Sequence, residues 1–233
     1  MLLAWVAGGV DAIGYLTLAH VFTAHMSGNS VAFGAALGQS RWDTVLVRGA
    51  PVALFAVGIV AGTVVGEASD ARGARHPSVP VFGVEMALLA AFWILGSGLL
   101  RDAAIAPSAG WQFYGLVALL TLAMGLQSAT LRRVGRHGVH TAYVSGVLTS
   151  LAEAAGQAMF RPYGRTRSTD SQDPPSQRIR LYGSVWGGYL VGAILGGALL
   201  APAGLAALAL PIAGLAVAIV HDLRHPHELA SIE

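Results

Sequence analysis

A chain of 233 residues with 55% hydrophobic and only 11% charged residues cannot clothe a water-soluble surface, because soluble chains carry about 25% charged residues. Its mean hydropathy of +0.62 points to lipid as the solvent. The net charge of +2, with no basic face interleaved with aromatics, argues against a nucleic-acid partner, and the absence of cysteine removes disulfides, thiol catalysis and Cys-based metal sites.

A membrane-spanning helix needs about 20 apolar residues. In chain order the candidates are residues 2–22, 47–66, 80–100, 111–131, 181–201 and 203–221. The first begins at once, with no basic leader region of the kind that precedes a cleavable signal. Two weaker segments lie between them. Residues 27–38 are apolar but reach only about 18 Å as a helix at 1.5 Å per residue. Residues 139–160 are long enough, yet carry Thr141, Ser145, Thr149, Ser150 and Glu153. The loop 161–180 has the Pro, Ser and charge content of a flexible segment, and residues 224–233 read as a solvated tail.

Arginine placement decides between six spans and eight, since cytoplasmic loops collect positive charge. All 14 basic residues are arginine. With the loop 161–180 anchored inside and six spans, 11 arginines lie inside and Arg41, Arg48 and Arg101 outside; eight spans give 9 and 5. The expectation is an all-α polytopic membrane domain over residues 1–233. Six helices cross, two segments are broken or re-entrant, and both termini are cytoplasmic.

Self-comparison divides the chain into repeats over residues 1–100 and 110–223. "GVDAIGYL" from Gly9 faces "GLQSATLR" from Gly125, which pairs Asp11 with Gln127. "TAHMSGNSV" from Thr23 faces "TAYVSGVLT" from Thr141. Gly58, Gly62 and Gly66 recur as Gly188, Gly192 and Gly196. Such ridges of small residues let helix backbones approach closely in lipid, within one chain or between copies, so a homo-oligomer is one candidate assembly. Three crossings per half is an odd number, so the second half enters the membrane inverted. Inverted repeats with discontinuous helices are a common construction of secondary transporters.

These same blocks resemble a known family. "AGGVDAIGYLTLAHVFTAHMSGNSVAFG", "GLQSATLRR" and "HTAYVSG" are similar to the paired motifs of the YoaK family of bacterial membrane proteins, a domain of unknown function, with Ser27 and Ser145 standing where that family has threonine. The resemblance implies a six-helix protein of the bacterial inner membrane. It implies no activity and no cofactor.

Intramembrane polar residues mark functional sites by default. Asp11 lies midway along the first span, where an ionised carboxylate is costly unless paired, and with His25 it is the candidate for proton coupling. The breaks at Ser27, Gly28 and Asn29, and at Thr141, Ser145 and Gly146, offer hydroxyls, amides and free backbone groups; with Gln127 they form the candidate solute site. Helices starting at Asn29 and Val147 would aim partially positive amide ends at the protein centre. Glu85, one turn into its span, is expected to snorkel to the surface or act directly, and Glu153 to face a vestibule. His25, His20 and His140 lack the spacing of a metal site. An enzyme is not expected, since Ser27 and His25 are neighbours with no nucleophile-elbow setting. The functional expectation is a small secondary transporter of a polar or anionic solute, with a channel or a non-transporting scaffold as alternatives.

Overall fold

The computed structural model describes residues 1–100, 104–134, 144–160 and 174–224, and all their regular structure is helical. The helices are α1 (Leu2–Thr17), α2 (Met26–Gly38), α3 (Trp42–Ala71), α4 (Ser78–Leu99), α5 (Trp111–Val134), α6 (Val144–Phe160), α7 (Pro175–Ala203) and α8 (Ala209–Arg224), with 3-10 turns at Pro107–Ala109 and Gly204–Leu208. Among the described residues, four helical stretches are long and apolar enough to cross a membrane: Trp42–Ala71, Ser78–Leu99, Trp111–Thr130 and Pro175–Arg224. The last contains both α7 and α8, divided at Gly204, whose φ of +56° suits a residue without Cβ. α1 is apolar but shorter. Val57, Val60 and Val64 of α3, Ile94 of α4, and Val191 and Ile194 of α7 are each at least half exposed. Apolar faces of that extent are suited to lipid rather than water.

Several expected boundaries move. The first span, expected to run to residue 22, ends at Thr17. Ala19 and His20 follow in the left-handed region at φ +50° and +57°, each at a cost of roughly 1–2 kcal/mol for a residue with a Cβ. Arg48 of α3 holds this turn, its guanidinium donating to the carbonyls of His20 at 2.5 Å and Ala19 at 3.3 Å. α2 begins at Met26, and α6 is already helical at Val144, where the described residues resume, ahead of the expected Asn29 and Val147. The loop expected over 161–180 is shorter at its end. Pro175 opens α7, at the first helical position, where its missing N–H would lack a partner anyway. Of that loop only residues 174–180 are described, and the tail 225–233 lies outside the described residues.

α5 is the most enclosed span, with 67% of its apolar window buried against 22–33% for the other three. Phe113, Leu116, Leu120 and Met124 form its share of the core with Leu89 and Phe92 of α4 and Leu208 and Leu215. α1 packs along α7 and α3 along α5; α4 rests on α5 and α8 on α1, while α2 and α6 flank α3 and α7. The glycine ridges explain the two tight pairs. A Cβ on Gly8 would strike the Tyr189 carbonyl, one on Gly192 the Trp5 carbonyl, and one on Gly196 the Gly9 carbonyl at 2.7 Å. On the other side, a Cβ on Gly125 would strike the Phe55 carbonyl, one on Gly58 the Leu122 carbonyl at 2.6 Å, and one on Gly62 the Leu126 carbonyl at 3.1 Å.

Trp5, Gly8 and Gly9 therefore meet Tyr189, Gly192 and Gly196 as Leu122, Gly125 and Leu126 meet Phe55, Gly58 and Gly62. These contacts correct the register read from the sequence blocks. Gly125 corresponds to Gly8, not Gly9, and the α3 ridge slides one turn, so that Gly58 corresponds to Gly192. Asp11 is then matched by Ser128, and Tyr189 by Phe55.

Candidate functional site

The chain after α1 doubles back along it. Thr23 settles on Gly14, where an added Cβ would come within 2.5 Å of the threonine methyl. This returns residues 23–25 to the level of Asp11, which is 3% exposed. One carboxylate oxygen, Oδ1, accepts the backbone N–H groups of Thr23 at 2.6 Å and Ala24 at 2.8 Å, and the Thr23 hydroxyl at 3.1 Å. The other, Oδ2, lies 2.7 Å from Nδ1 of His25 and accepts the Tyr189 hydroxyl of α7 at 2.8 Å. Backbone groups cannot stay unpaired in hydrocarbon, so one oxygen of Asp11 secures the break while the other ties it to α7.

Asn29 makes a second clasp. Its Oδ1 accepts the Phe22 N–H at 3.2 Å and its Nδ2 donates to the Phe22 carbonyl at 2.6 Å. Both backbone groups of Phe22 are thereby satisfied, which the accounting of buried backbone requires. The Phe22 ring lies over Gly28, where a Cβ would come within 2.9 Å of it, and its centroid is 4.8 Å from that of Tyr15, the rings tilted by 34°.

Asp11 Oδ2, the Tyr189 hydroxyl and His25 Nδ1 close a triangle whose third side, from the hydroxyl to Nδ1, is 2.9 Å. With Asp11 ionised, the phenol and an Nδ1–H imidazole both donate to Oδ2. With the proton on Oδ2, the acid can donate to the phenol oxygen and the phenol to a bare Nδ1. The second state holds one proton more than the first: the Nδ1 proton passes to Oδ2, the imidazole takes up one at Nε2, and the phenol hydroxyl rotates from Oδ2 to Nδ1. Among the described residues no three His, Asp or Glu side chains converge; the donor set here is one carboxylate, one imidazole and one phenol.

Of the residues expected to form the site, Asp11 and His25 come together, and Asn29 holds the same break through Phe22. Ser27, in the first turn of α2, is exposed on the opposite face from buried Asn29. Ser145 is exposed and Gly146 partly buried in the first turn of α6, which packs on α7. Gln127 is 2% exposed on α5, and its Nε2 finds no hydrogen-bond partner. Thr141 and His140 lie outside the described residues. Glu153 is 60% exposed and lies 3.9 Å from Arg178, which also donates to Gln157; these contacts join α6 to α7. Glu85 does not reach the surface: it is fully buried.

Tyr189 was not expected from the sequence. A tyrosine in mid-span, away from the interfacial belts where tyrosines concentrate, is a signal that could have marked it as a buried phenol in need of a partner, though not which partner. Its backbone carbonyl makes the Gly8 contact, so Tyr189→Phe removes the hydroxyl and leaves the helix packing alone. Loss of one hydrogen bond to a charged group costs about 1.5–3 kcal/mol. The expected result is a thermal midpoint in detergent lower by roughly 3–10 °C; an unchanged midpoint would show that the phenol is not bonded to Asp11.

A bundle of apolar helices around a buried carboxylate, with lipid-suited outer faces, defines a multi-pass helical membrane protein. The chain belongs to the family described as "Protein of unknown function (DUF1275)", whose match covers residues 1–221. It is 30% identical over 171 residues to the UPF0700 transmembrane protein YoaK of Bacillus subtilis (strain 168), a match covering 73% of this chain and 72% of that protein. No solved structure matches it.

Proposed function

We propose that the protein is a small proton-coupled secondary transporter of the bacterial inner membrane, moving a small polar or anionic solute between two inverted halves, residues 1–100 and 110–223. Both termini are cytoplasmic in this reading. The observation that carries it is the Asp11 cluster. A carboxylate on α1 shapes a helix break in the first half and is bonded across the bundle to Tyr189 of the second.

The repeated glycine contacts support the two-half construction, since each half supplies one helix to each tight pair. The path of the chain supports a re-entrant α2. Thr23 and Ala24 lie beside Asp11 in the middle of α1, Arg48 holds the end of α1, and a Cβ on Gly49 would touch Phe33 of α2 at 2.9 Å. α2 thus starts at mid-depth and returns toward the end of α1, which leaves α3 to cross. Its first turn brings partly positive amide groups next to the acid, imidazole and phenol. Rocking of the halves would separate Tyr189 from Asp11, and uptake or release of one proton by the triangle would couple that movement to pH.

Uptake into proteoliposomes tests the reading with a panel of small polar and anionic solutes. Saturable uptake, accelerated by an inward proton gradient and reduced at least roughly tenfold in Asp11→Asn, is expected; a tenfold loss corresponds to about 1.4 kcal/mol. Conductance without saturation would make the protein a channel. Absence of flux across the panel would leave a scaffold and sink the proposal.

A further inference from the structure

Glu85 is fully buried in α4 and neither of its carboxyl oxygens has a hydrogen-bond partner. It shares its face with Phe82, Leu89, Phe92 and Gly96, the buried side of the helix. A carboxyl retained for structure would donate its proton to a carbonyl or hydroxyl, and an ionised one would be paired. Glu85 does neither, although a leucine would fill the same place without the cost. Such unsatisfied groups are few in folded proteins, and each calls for an explanation.

A second unsatisfied group stands opposite. In the hairpin of α4 and α5, a Cβ on Gly96 would meet the Leu116 side chain at 3.9 Å. Glu85 lies eleven residues before Gly96, and Gln127 eleven residues after Leu116. Eleven residues is close to three helical turns, so each side chain returns to the face that makes the contact, at the same level of the hairpin. Gln127 Nε2 is buried there without a partner.

The charged and titratable side chains described on helices packed against α4 are Asp43, Arg48, Glu67 and Asp70 of α3, Tyr114 of α5, and His221, Asp222 and Arg224 of α8. None of them hydrogen-bonds Glu85. Asp11, by contrast, has five polar contacts on its two oxygens.

We propose that Glu85 is a proton-exchange site with two states: a carboxylic acid unpaired in the apolar interior, and a carboxylate that has given its proton to water and accepts a hydrogen bond from Gln127 Nε2. A metal cation is the poorer ligand, because it needs about six oxygen donors, whereas this level of the hairpin offers one carboxylate and one amide. The site lies on α4 and α5, apart from the α1–α7 cluster, and gives the transport reading a second group through which protons enter. It rests on that reading only for the direction of coupling.

Dicyclohexylcarbodiimide, an apolar reagent, tests it on the full-length protein in liposomes. The acid proton goes to a carbodiimide nitrogen and the carboxylate oxygen adds to the central carbon. Acyl shift to nitrogen then leaves the whole reagent attached, which peptide mass mapping locates. Labelling at Glu85 is expected, falling roughly tenfold per pH unit above its midpoint, as for one titrating group, while Asp11 stays unlabelled. Glu85→Gln abolishes the label at an unchanged fold, judged by the thermal midpoint, and Gln127→Leu raises the pH at which labelling falls, because the carboxylate state loses its partner. Absence of label at every pH, with surface carboxyls still reacting with a water-soluble carbodiimide, would show a sealed acid and overturn the proposal. Protection by sodium but not choline at equal ionic strength would replace the proton with a metal cation and overturn it too. Labelling does not require solute movement, so a label at Glu85 with no uptake in any assay would refute the transport reading alone.

Discussion

Asp11→Ala is expected to lower the stability of the protein by roughly 3–6 kcal/mol, a shift in thermal midpoint on the order of 10 °C or more. The size follows from what the substitution leaves behind. The N–H groups of Thr23 and Ala24 both point at Oδ1, and both residues are buried. A buried donor stripped of its acceptor costs about 1–3 kcal/mol, and hydrocarbon supplies no water to take the acceptor's place. The Tyr189 hydroxyl and His25 lose their shared partner in the same step. Asp11→Asn has a smaller expected effect, about half, because an amide oxygen still accepts from both backbone groups, and the amide nitrogen can donate to the phenol oxygen or to Nδ1. Hydrogen exchange localises the loss. In Asp11→Ala the amides of Thr23 and Ala24 are expected to exchange far faster, while those at the centre of α5 are slowed as before. Equal midpoints for Asp11→Ala and the unmodified protein would mean that the break is held by Asn29 and Arg48 alone. The pair of variants separates two roles of one side chain: Ala removes the acceptor that shapes the break, and Asn removes the charge that proton coupling requires.

Much of this arrangement was legible in the residues themselves. Asp11, His25 and Asn29 stand out as polar groups inside apolar runs, and the structure gathers all three around residues 18–25. The glycine ridges were legible because spacing by four puts them on one helix face, and that face forms the α1–α7 and α3–α5 contacts. The register between the ridges was not. α1 carries adjacent glycines, Gly8 and Gly9, and matching residue types alone aligns the wrong one with Gly125; the backbone contacts select Gly8. Ser27 was drawn into the site by its neighbours, but α2 starts at Met26, and the turn of the helix sends Ser27 outward as it brings Asn29 in. Glu85 was expected either to snorkel to the surface, because it is close to the start of its span, or to act directly. Its face was the better guide, since Phe82, Leu89, Phe92 and Gly96 fall on the same side of α4 and all are buried. Tyr189 is 178 residues from Asp11 in sequence, a separation that no local pattern bridges.

The close approach of α1 and α7 connects packing to the site, and Gly192→Ala is expected to break both. A Cβ at this position strikes the Trp5 carbonyl and lies 3.1 Å from the Gly9 nitrogen. Neither backbone atom can rotate aside, so the helices must separate. Overpacking in a core costs about 1–3 kcal/mol, and backbone obstruction puts this site at the upper end, a midpoint lower by roughly 6–12 °C. The same separation draws the Tyr189 hydroxyl away from Asp11, where the present 2.8 Å contact leaves no slack. Gly58→Ala meets the Leu122 carbonyl at 2.6 Å and should destabilise comparably, yet it acts on α3 and α5 and spares the Asp11 cluster. Gly34 has open space around it, so Gly34→Ala should be neutral or stabilising by up to about 1 kcal/mol through helix propensity. A cross-link reads the separation directly, and the chain has no native cysteine to confuse it. A Cβ on Gly188 would lie 4.0 Å from that of Ala4, within the span a disulfide bridges. Ala4→Cys with Gly188→Cys should therefore oxidise readily in the otherwise unmodified protein and in Gly58→Ala, and slowly once Gly192→Ala is added. Equal cross-linking in all three would show that α1 and α7 are not held at glycine distance, and the bond from Asp11 to Tyr189 would lose its structural basis.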